Sequence, residues 1–327
     1  MTPLVPAPIA TKIRVSLLSL AMCDALGGPV EFHRRGTFPR VTSMIVNTNF
    51  SLPAGCWTDD TTMALCLADS LVASGGAFSE ADQAARYVRW IYDGYLSVTG
   101  YCFDAGGTTR VAARVWRDGG GLSEIRKSLG HKVRCGNGSL MRVLPVALAY
   151  WRDPEAAKEL ARRSSAVTHP HGICQEACAL YVALVVEILN RAAHVTAMQK
   201  SELLQMVARW EWRTDELRTT FADGTWVAKE EAQISSSGYV VHTLEAALWV
   251  FFRTHSFEEG AIEAVNLGDD ADTVAAVYGG IAGAWYGADG DEFWSEKVRE
   301  WRDGLVERQV VEGFGERLAS LEAPTAT

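Results

Sequence analysis

From Lys12 onward, apolar side chains recur at three- and four-residue spacing through most of the chain, the period that gathers one face of an α-helix. The spacing predicts helices over 12–26, 61–74, 79–96, 107–117, 138–150, 154–167, 173–191, 200–211, 241–253, 258–266, 272–287 and 291–307. ACALYVALVVEIL at 177–189 and TVAAVYGGIAGAWYG at 273–287 are apolar nearly all round, as suits helices enclosed on every side in the middle of a bundle. Gly279, Gly280 and Gly283 put small residues on faces of the second, where a neighbouring helix can come close. Alternating strand patterns are scarce, so the pattern predicts an all-α chain. The segment FADGTWVAKEEAQISSSG at 221–238 is read as the longest non-helical stretch; its Asp223-Gly224 turn and Ser/Gly cluster suit a loop facing a substrate.

The three prolines of MTPLVPAPIA predict a flexible arm over 1–11, and 321–327 reads as a frayed tail. Between them, 12–320 shows neither a fixed-period repeat nor a low-complexity linker and is expected to form one domain. With 48% hydrophobic and 22% charged residues, the chain can bury a large core and is not of disordered composition. A formal net charge of -9, without a basic run, argues against generic nucleic-acid binding. An acidic protein that holds phosphates needs local donors instead: helix N-termini, backbone amides or a bound cation. Seven cysteines, an odd number with no Cys-x-x-Cys pair, read as reduced thiols. The apolar run Val15 to Met22 is too short for a membrane span, which needs roughly 18 to 20 residues. A cytoplasmic monomer with no membrane partner is the expectation.

Chemistry concentrates where helices begin. Trp57-Thr58-Asp59-Asp60-Thr61 opens one apolar-periodic helix, and Asn266-Leu267-Gly268-Asp269-Asp270-Ala271-Asp272-Thr273 opens another. Taken singly, each is also a capped helix start, with acids complementing the macrodipole. Three carboxylates within four residues exceed that need, since two like charges 4 Å apart cost about 4 kcal/mol at an effective dielectric near 20. If the two starts meet, Asp59, Asp60, Asp270 and Asp272 bring four carboxylates together with two threonine hydroxyls. Such a cluster demands cations. An all-oxygen set without His or Cys selects hard ions such as Mg²⁺, Mn²⁺ or Ca²⁺, and a pair of them can polarise a phosphate or ribose oxygen and activate water for hydrolysis.

The segments CDALGGPVEF (23–32), WTDDT (57–61), DAGGTTR (104–110), GNGSLMRVLP (136–145), THPHG (168–172), SSGYVVHTLEAALW (236–249) and NLGDDADT (266–273) occur in an order that resembles the ADP-ribosylglycohydrolase family from about residue 12 to 290. The paired WTDDT and DDADT motifs carry most of the resemblance. It implies a compact orthogonal helical bundle with two divalent cations, Mg²⁺ or Mn²⁺, at its centre. Thr58, Asp59, Asp60, Asp270, Asp272 and Thr273 would be the ligands, with Asp269 left out. It further implies hydrolysis at C1″ of an ADP-ribosyl group on a protein or small molecule, N-linked arginine slightly favoured over O-linked serine. A non-catalytic ADP-ribose-binding protein and a metal-dependent phosphohydrolase are the alternatives. Cys23 departs from the family pattern, which usually has Gly before Asp24.

The resemblance also assigns residues that alone have plainer readings. Glu31, after a Gly-Gly-Pro turn, is an exposed loop acid or, beside the metals, positions the attacking water or gates substrate entry. Asp104 starts an Asx-turn or faces the ribose as acceptor or base; Asp60 joins Glu31 and Asp104 in the expected catalytic set. Gly136, Asn137, Gly138 and Ser139 form a capped loop or, directly before a helix, a diphosphate cradle. His169 is expected on the distal ribose or phosphate and His171 in solvent, while Tyr239 is either a core aromatic or packs on ribose or base.

Overall fold

The computed structural model describes residues 2–322; residues 323–327 of the expected tail, and residue 1 of the expected arm, lie outside the described residues. Among the described residues fifteen α-helices follow in chain order: α1 (Ile9–Gly27), α2 (Asp59–Ala73), α3 (Glu80–Asp93), α4 (Gly107–Arg117), α5 (Leu122–Leu129), α6 (Leu144–Tyr150), α7 (Pro154–Ala166), α8 (Gly172–Ala193), α9 (Lys200–Ala208), α10 (Asp215–Phe221), α11 (Val240–Arg253), α12 (Phe257–Val265), α13 (Ala271–Tyr286), α14 (Glu296–Gly304) and α15 (Arg308–Ala319). Among the described residues there is no β-strand, only the isolated bridges Asn47 to Leu52 and Gly136 to Tyr239. The fold is all-α, as the apolar spacing predicts.

The centre is the pair α1 and α13, which lie along each other, with α8, α11, α12 and α15 packed around them. Every residue of α13 is buried, so its all-round apolar sequence matches its place. The close approach depends on missing side chains: a Cβ on Gly279 would stand 2.5 Å from the carbonyl oxygen of Ser19 and 2.9 Å from the sulfur of Cys23. The Cys23 side chain therefore occupies space that Gly279 leaves open. The windows Ile9–Val30 and Gly172–Ala193 are long and apolar enough to cross a membrane, but 94% and 83% of them are buried inside the protein.

Several boundaries differ from the sequence expectation. The N-terminal segment is extended, as its prolines require, yet it is fastened rather than free: Leu4 is buried, its N–H donates to Met198 O at 2.9 Å, and that of Val5 to Trp285 O at 3.2 Å. The helix after it starts at Ile9 instead of Lys12. The helix expected over 138–150 begins only at Leu144, because Pro145 belongs in a first turn and the preceding residues form turns. The helix expected over 291–307 starts at Glu296, where Ser295 caps it by accepting from Val298 N–H at 3.1 Å; α15 follows as a separate helix. The longest non-helical stretch is the one after Val30 and before Asp59, not 221–238, in which 3₁₀ turns cover Thr225–Ala228 and Glu231–Gln233.

Candidate active site

Seven chain segments converge on a cavity of about 240 Å³: the loop after α1, the start of α2, the loop entering α4, residues 136–141, His169, Gly238 and the start of α13. The starts of α2 and α13 meet because the end of α1 presses against α13. A Cβ on Gly27 would lie 2.5 Å from Asp272 Cα, so only a glycine permits that approach. Both DD motifs thereby reach one place.

Thr58 is the N-cap residue of α2, but its hydroxyl makes no capping bond. It lies 2.8 Å from Asp24 Oδ1, 3.1 Å from Asp60 Oδ2 and 3.3 Å from Asp272 Oδ2. Asp270 likewise begins α13 without a side-chain cap, and Thr273 Oγ1 stands 3.4 Å from Asp60 Oδ2. Helix capping therefore does not account for these residues. Asp60 and Asp272 are buried, while Asp59 and Asp270 are partly open to the cavity.

Burial, and then repulsion from neighbouring carboxylates, holds Asp59, Asp60 and Asp272 well above the usual carboxylate range, and Glu31 with them. Asp104 and Asp270 are raised as well, chiefly by burial. Oδ1 of Asp60 and Oε2 of Glu31 are buried without a hydrogen-bond partner, an arrangement that costs free energy unless a cation or proton satisfies it. Carboxylate oxygens of Glu31, Asp270 and Asp272 lie within 4.8 Å of one another, as do those of Asp24, Asp60 and Asp272. Hard oxygen donors at this spacing fit divalent cations.

Glu31 is brought to the cluster by an interlock of two turns. Phe32 N–H donates to Asp269 O and Asp269 N–H to His33 O, both at 2.7 Å, and Phe32, Gly268 and Asp269 all have positive φ. Asp269 itself is exposed and stands off from the cluster. Asp24 was missed as a site residue. Its buried carboxylate accepts from the N–H and hydroxyl groups of both Thr58 and Thr61 at 2.6 to 3.1 Å, holding the start of α2 in place, and burial still raises it to about 6. The signal was legible: an acid in the last turn of an apolar helix opposes the macrodipole.

The same cavity carries amide and imidazole groups. Gly136, Asn137 and Gly138 line it, fixed by Asn137 N–H on Gly238 O at 3.0 Å and by the Asn137 amide on Asp270 Oδ2 at 2.8 Å. His169 lines it too, with Nδ1 2.7 Å from the Thr168 hydroxyl, and burial lowers its pKa to about 3, so the ring is neutral. Three residues lie elsewhere. Ser139 is buried, its hydroxyl 2.9 Å from that of Ser165. Tyr239 turns its hydroxyl to Glu216 at 2.6 Å and is absent from the cavity wall. His171 caps α8, accepting from Ile173 N–H at 3.2 Å. A larger cavity, about 590 Å³ between Arg35, Arg40, Glu230 and Trp249, holds none of the expected catalytic, metal or substrate residues.

A family model described as ADP-ribosylglycohydrolase matches residues 6–326. The chain is 38% identical over 304 residues to the ADP-ribosylarginine hydrolase Tri1 of Pseudomonas putida (strain GB-1), covering 90% of this chain and 76% of that protein. It is 32% identical to the ADP-ribosylarginine hydrolase Tri1 of Serratia proteamaculans (strain 568), covering 94% and 78%. A solved structure titled ADP-ribosylglycohydrolase-related protein complex superposes with a TM-score of 0.73 at 35% identity, covering 96% of this chain and 98% of that one.

Proposed function

The chain belongs to the ADP-ribosylglycohydrolase family, and from that premise we propose that it hydrolyses the bond between ADP-ribose and a modified arginine of a protein, with two Mg²⁺ or Mn²⁺ ions. The observation that carries the reading is the buried carboxylate cluster, with its unpartnered oxygens, sharing one cavity with amide and imidazole groups. Thr58, Asp59, Asp60, Asp270, Asp272 and Thr273 would hold the cations. When bound, these supply positive charge that neutralises the cluster, polarises the ribose hydroxyls and acidifies a water.

The remaining steps belong to the protein. The Gly136–Gly138 loop, whose Asn137 N–H is already taken by Gly238 O, offers its glycine N–H groups to the diphosphate, and the neutral His169 ring stands beside it with the nitrogen that Thr168 leaves free. Asp104, on the cavity wall, accepts from a ribose hydroxyl. Glu31 holds the water against C1″ through its buried, unpartnered oxygen. The water oxygen bonds to C1″, the C1″–N bond breaks, and its electron pair with a proton from the water restores the arginine guanidine. One chain supplies every group assigned, so a monomer suffices, and seven free cysteines suit a reducing cytoplasm.

The test is release of free ADP-ribose from arginine-ADP-ribosylated protein, with Mg²⁺ or Mn²⁺ and then with EDTA. Metal-dependent release is expected. AMP or phosphate as product would replace the reading with a phosphohydrolase; binding of ADP-ribose without release would favour another linkage, such as serine, and after it a non-catalytic role.

A further inference from the structure

Few large apolar side chains are exposed among the described residues, and two of them are aromatic rings: Phe32 at 69%, which lines this cavity, and Tyr101 at 57%. They end a chain of four rings. Phe32 meets Phe50 edge-on at 6.4 Å between centroids, Phe50 lies 5.3 Å from Phe103, and Phe103 meets Tyr101 edge-on at 6.3 Å. Phe32 directly follows Glu31 and Phe103 directly precedes Asp104 in the chain, and both of these carboxylates line the cavity with Phe32. Phe32 is held at a φ of 66°, a left-handed conformation that side chains with a Cβ avoid. Strain that keeps a ring in water beside a reactive cleft points to a ligand.

We infer that Phe32, Phe50, Phe103 and Tyr101 form an acceptor platform that takes the guanidinium of the ADP-ribosylated arginine. This deepens the arginine reading above and rests on it. The argument is charge. A diphosphate is repelled by Glu31 and Asp104 and belongs on the Gly136–Gly138 and His169 wall, which leaves the leaving group on the ring side. A guanidinium is planar, weakly hydrated and cationic; it stacks on aromatic faces and is attracted to adjacent carboxylates. A serine acceptor offers neither plane nor charge, so the rings would discriminate between the two linkages.

The test compares wild type, Phe32→Ala, Phe103→Ala and Phe32→Tyr in steady-state hydrolysis of an arginine-ADP-ribosylated peptide, with free ADP-ribose as competitive inhibitor. Either alanine variant is expected to raise KM about tenfold with little change in kcat. Phe32→Tyr should retain the wild-type KM, and the ADP-ribose inhibition constant should stay within about twofold throughout, which also reports a folded site. An inhibition constant that rises in step with KM would overturn the platform, because the rings would then be holding ADP-ribose itself. An unchanged KM in both alanine variants would overturn it as well. Wild-type inactivity on the peptide, with ADP-ribose binding intact, is a distinct result: it removes the arginine reading and the platform with it.

Discussion

Asp60 and Asp272 are the residues whose substitution separates chemistry from folding most cleanly. Burial and neighbouring carboxylates disfavour the charged form of each, so neither is expected to add much stability to the metal-free protein, while both belong to the proposed cation ligands. Asp60→Ala or Asp272→Ala is expected to lower turnover by about 10³-fold or more and to leave the helical circular-dichroism spectrum nearly unchanged; activity within tenfold of wild type in either would end the ligand assignment. Much of this was legible residue by residue. Acids beyond the number a helix dipole can use announced the two motifs. Asp24 escaped because its role depends on Thr58 and Thr61, which only the fold brings to it. The orientations of Ser139 and Tyr239 were equally hidden, since one torsion about Cα–Cβ decides between cavity and core and no sequence pattern encodes it.

At the scale of helices, the site is a by-product of how α1 seats against α13. Gly27→Ala would force a methyl into the backbone of Asp272, 2.5 Å from its Cα. The expected cost is about 2–4 kcal/mol, read as a lower denaturant midpoint together with lost activity, because the two acidic helix starts move apart. A second prediction concerns Lys12, whose amine is buried in α1, donates to Trp285 O at 2.9 Å, and has its pKa lowered by burial to about 7. Its unfolded value is 10.5. Between these values the unfolded chain holds the extra proton, so this group makes stability rise with pH over that window, and the cost of burying the charge is full below about 7. Lys12→Met should therefore raise Tm at pH 6 by several degrees, at roughly 2–4 °C per kcal/mol, and by less at pH 9; the same gain at both values would show that the amine stays charged throughout. Helix existence was readable from periodicity for the long elements. The short helices α5 and α10 were not expected, because their few buried positions give little apolar period; α15 was not expected either, although Val311, Phe314, Gly315 and Leu318 recur at helical spacing.

For the whole molecule, folding and metal binding should be linked. A carboxylate cluster that costs free energy when bare makes any cation that binds it stabilising, by RT ln(1 + [L]/Kd). Saturating Mg²⁺ or Mn²⁺ at about 100 times Kd is expected to add about 2.7 kcal/mol, seen as a rise in Tm that EDTA reverses and that Asp60→Ala reduces; an equal rise in that variant would place the binding elsewhere. The apolar period by itself determined that this chain is a bundle of helices with α8 and α13 inside, because burial on all sides leaves a continuous record in composition. The spacing of the acids marked two helix starts as the candidate site. Tertiary structure alone decided that the starts meet, that Asp24 supports them, that the N-terminal segment is fastened, and that a chain of four rings runs from Phe32 on the cavity to Tyr101. These are contacts between residues tens to hundreds of positions apart, set by helix packing and interlocked turns, and local periodicity carries no information about them.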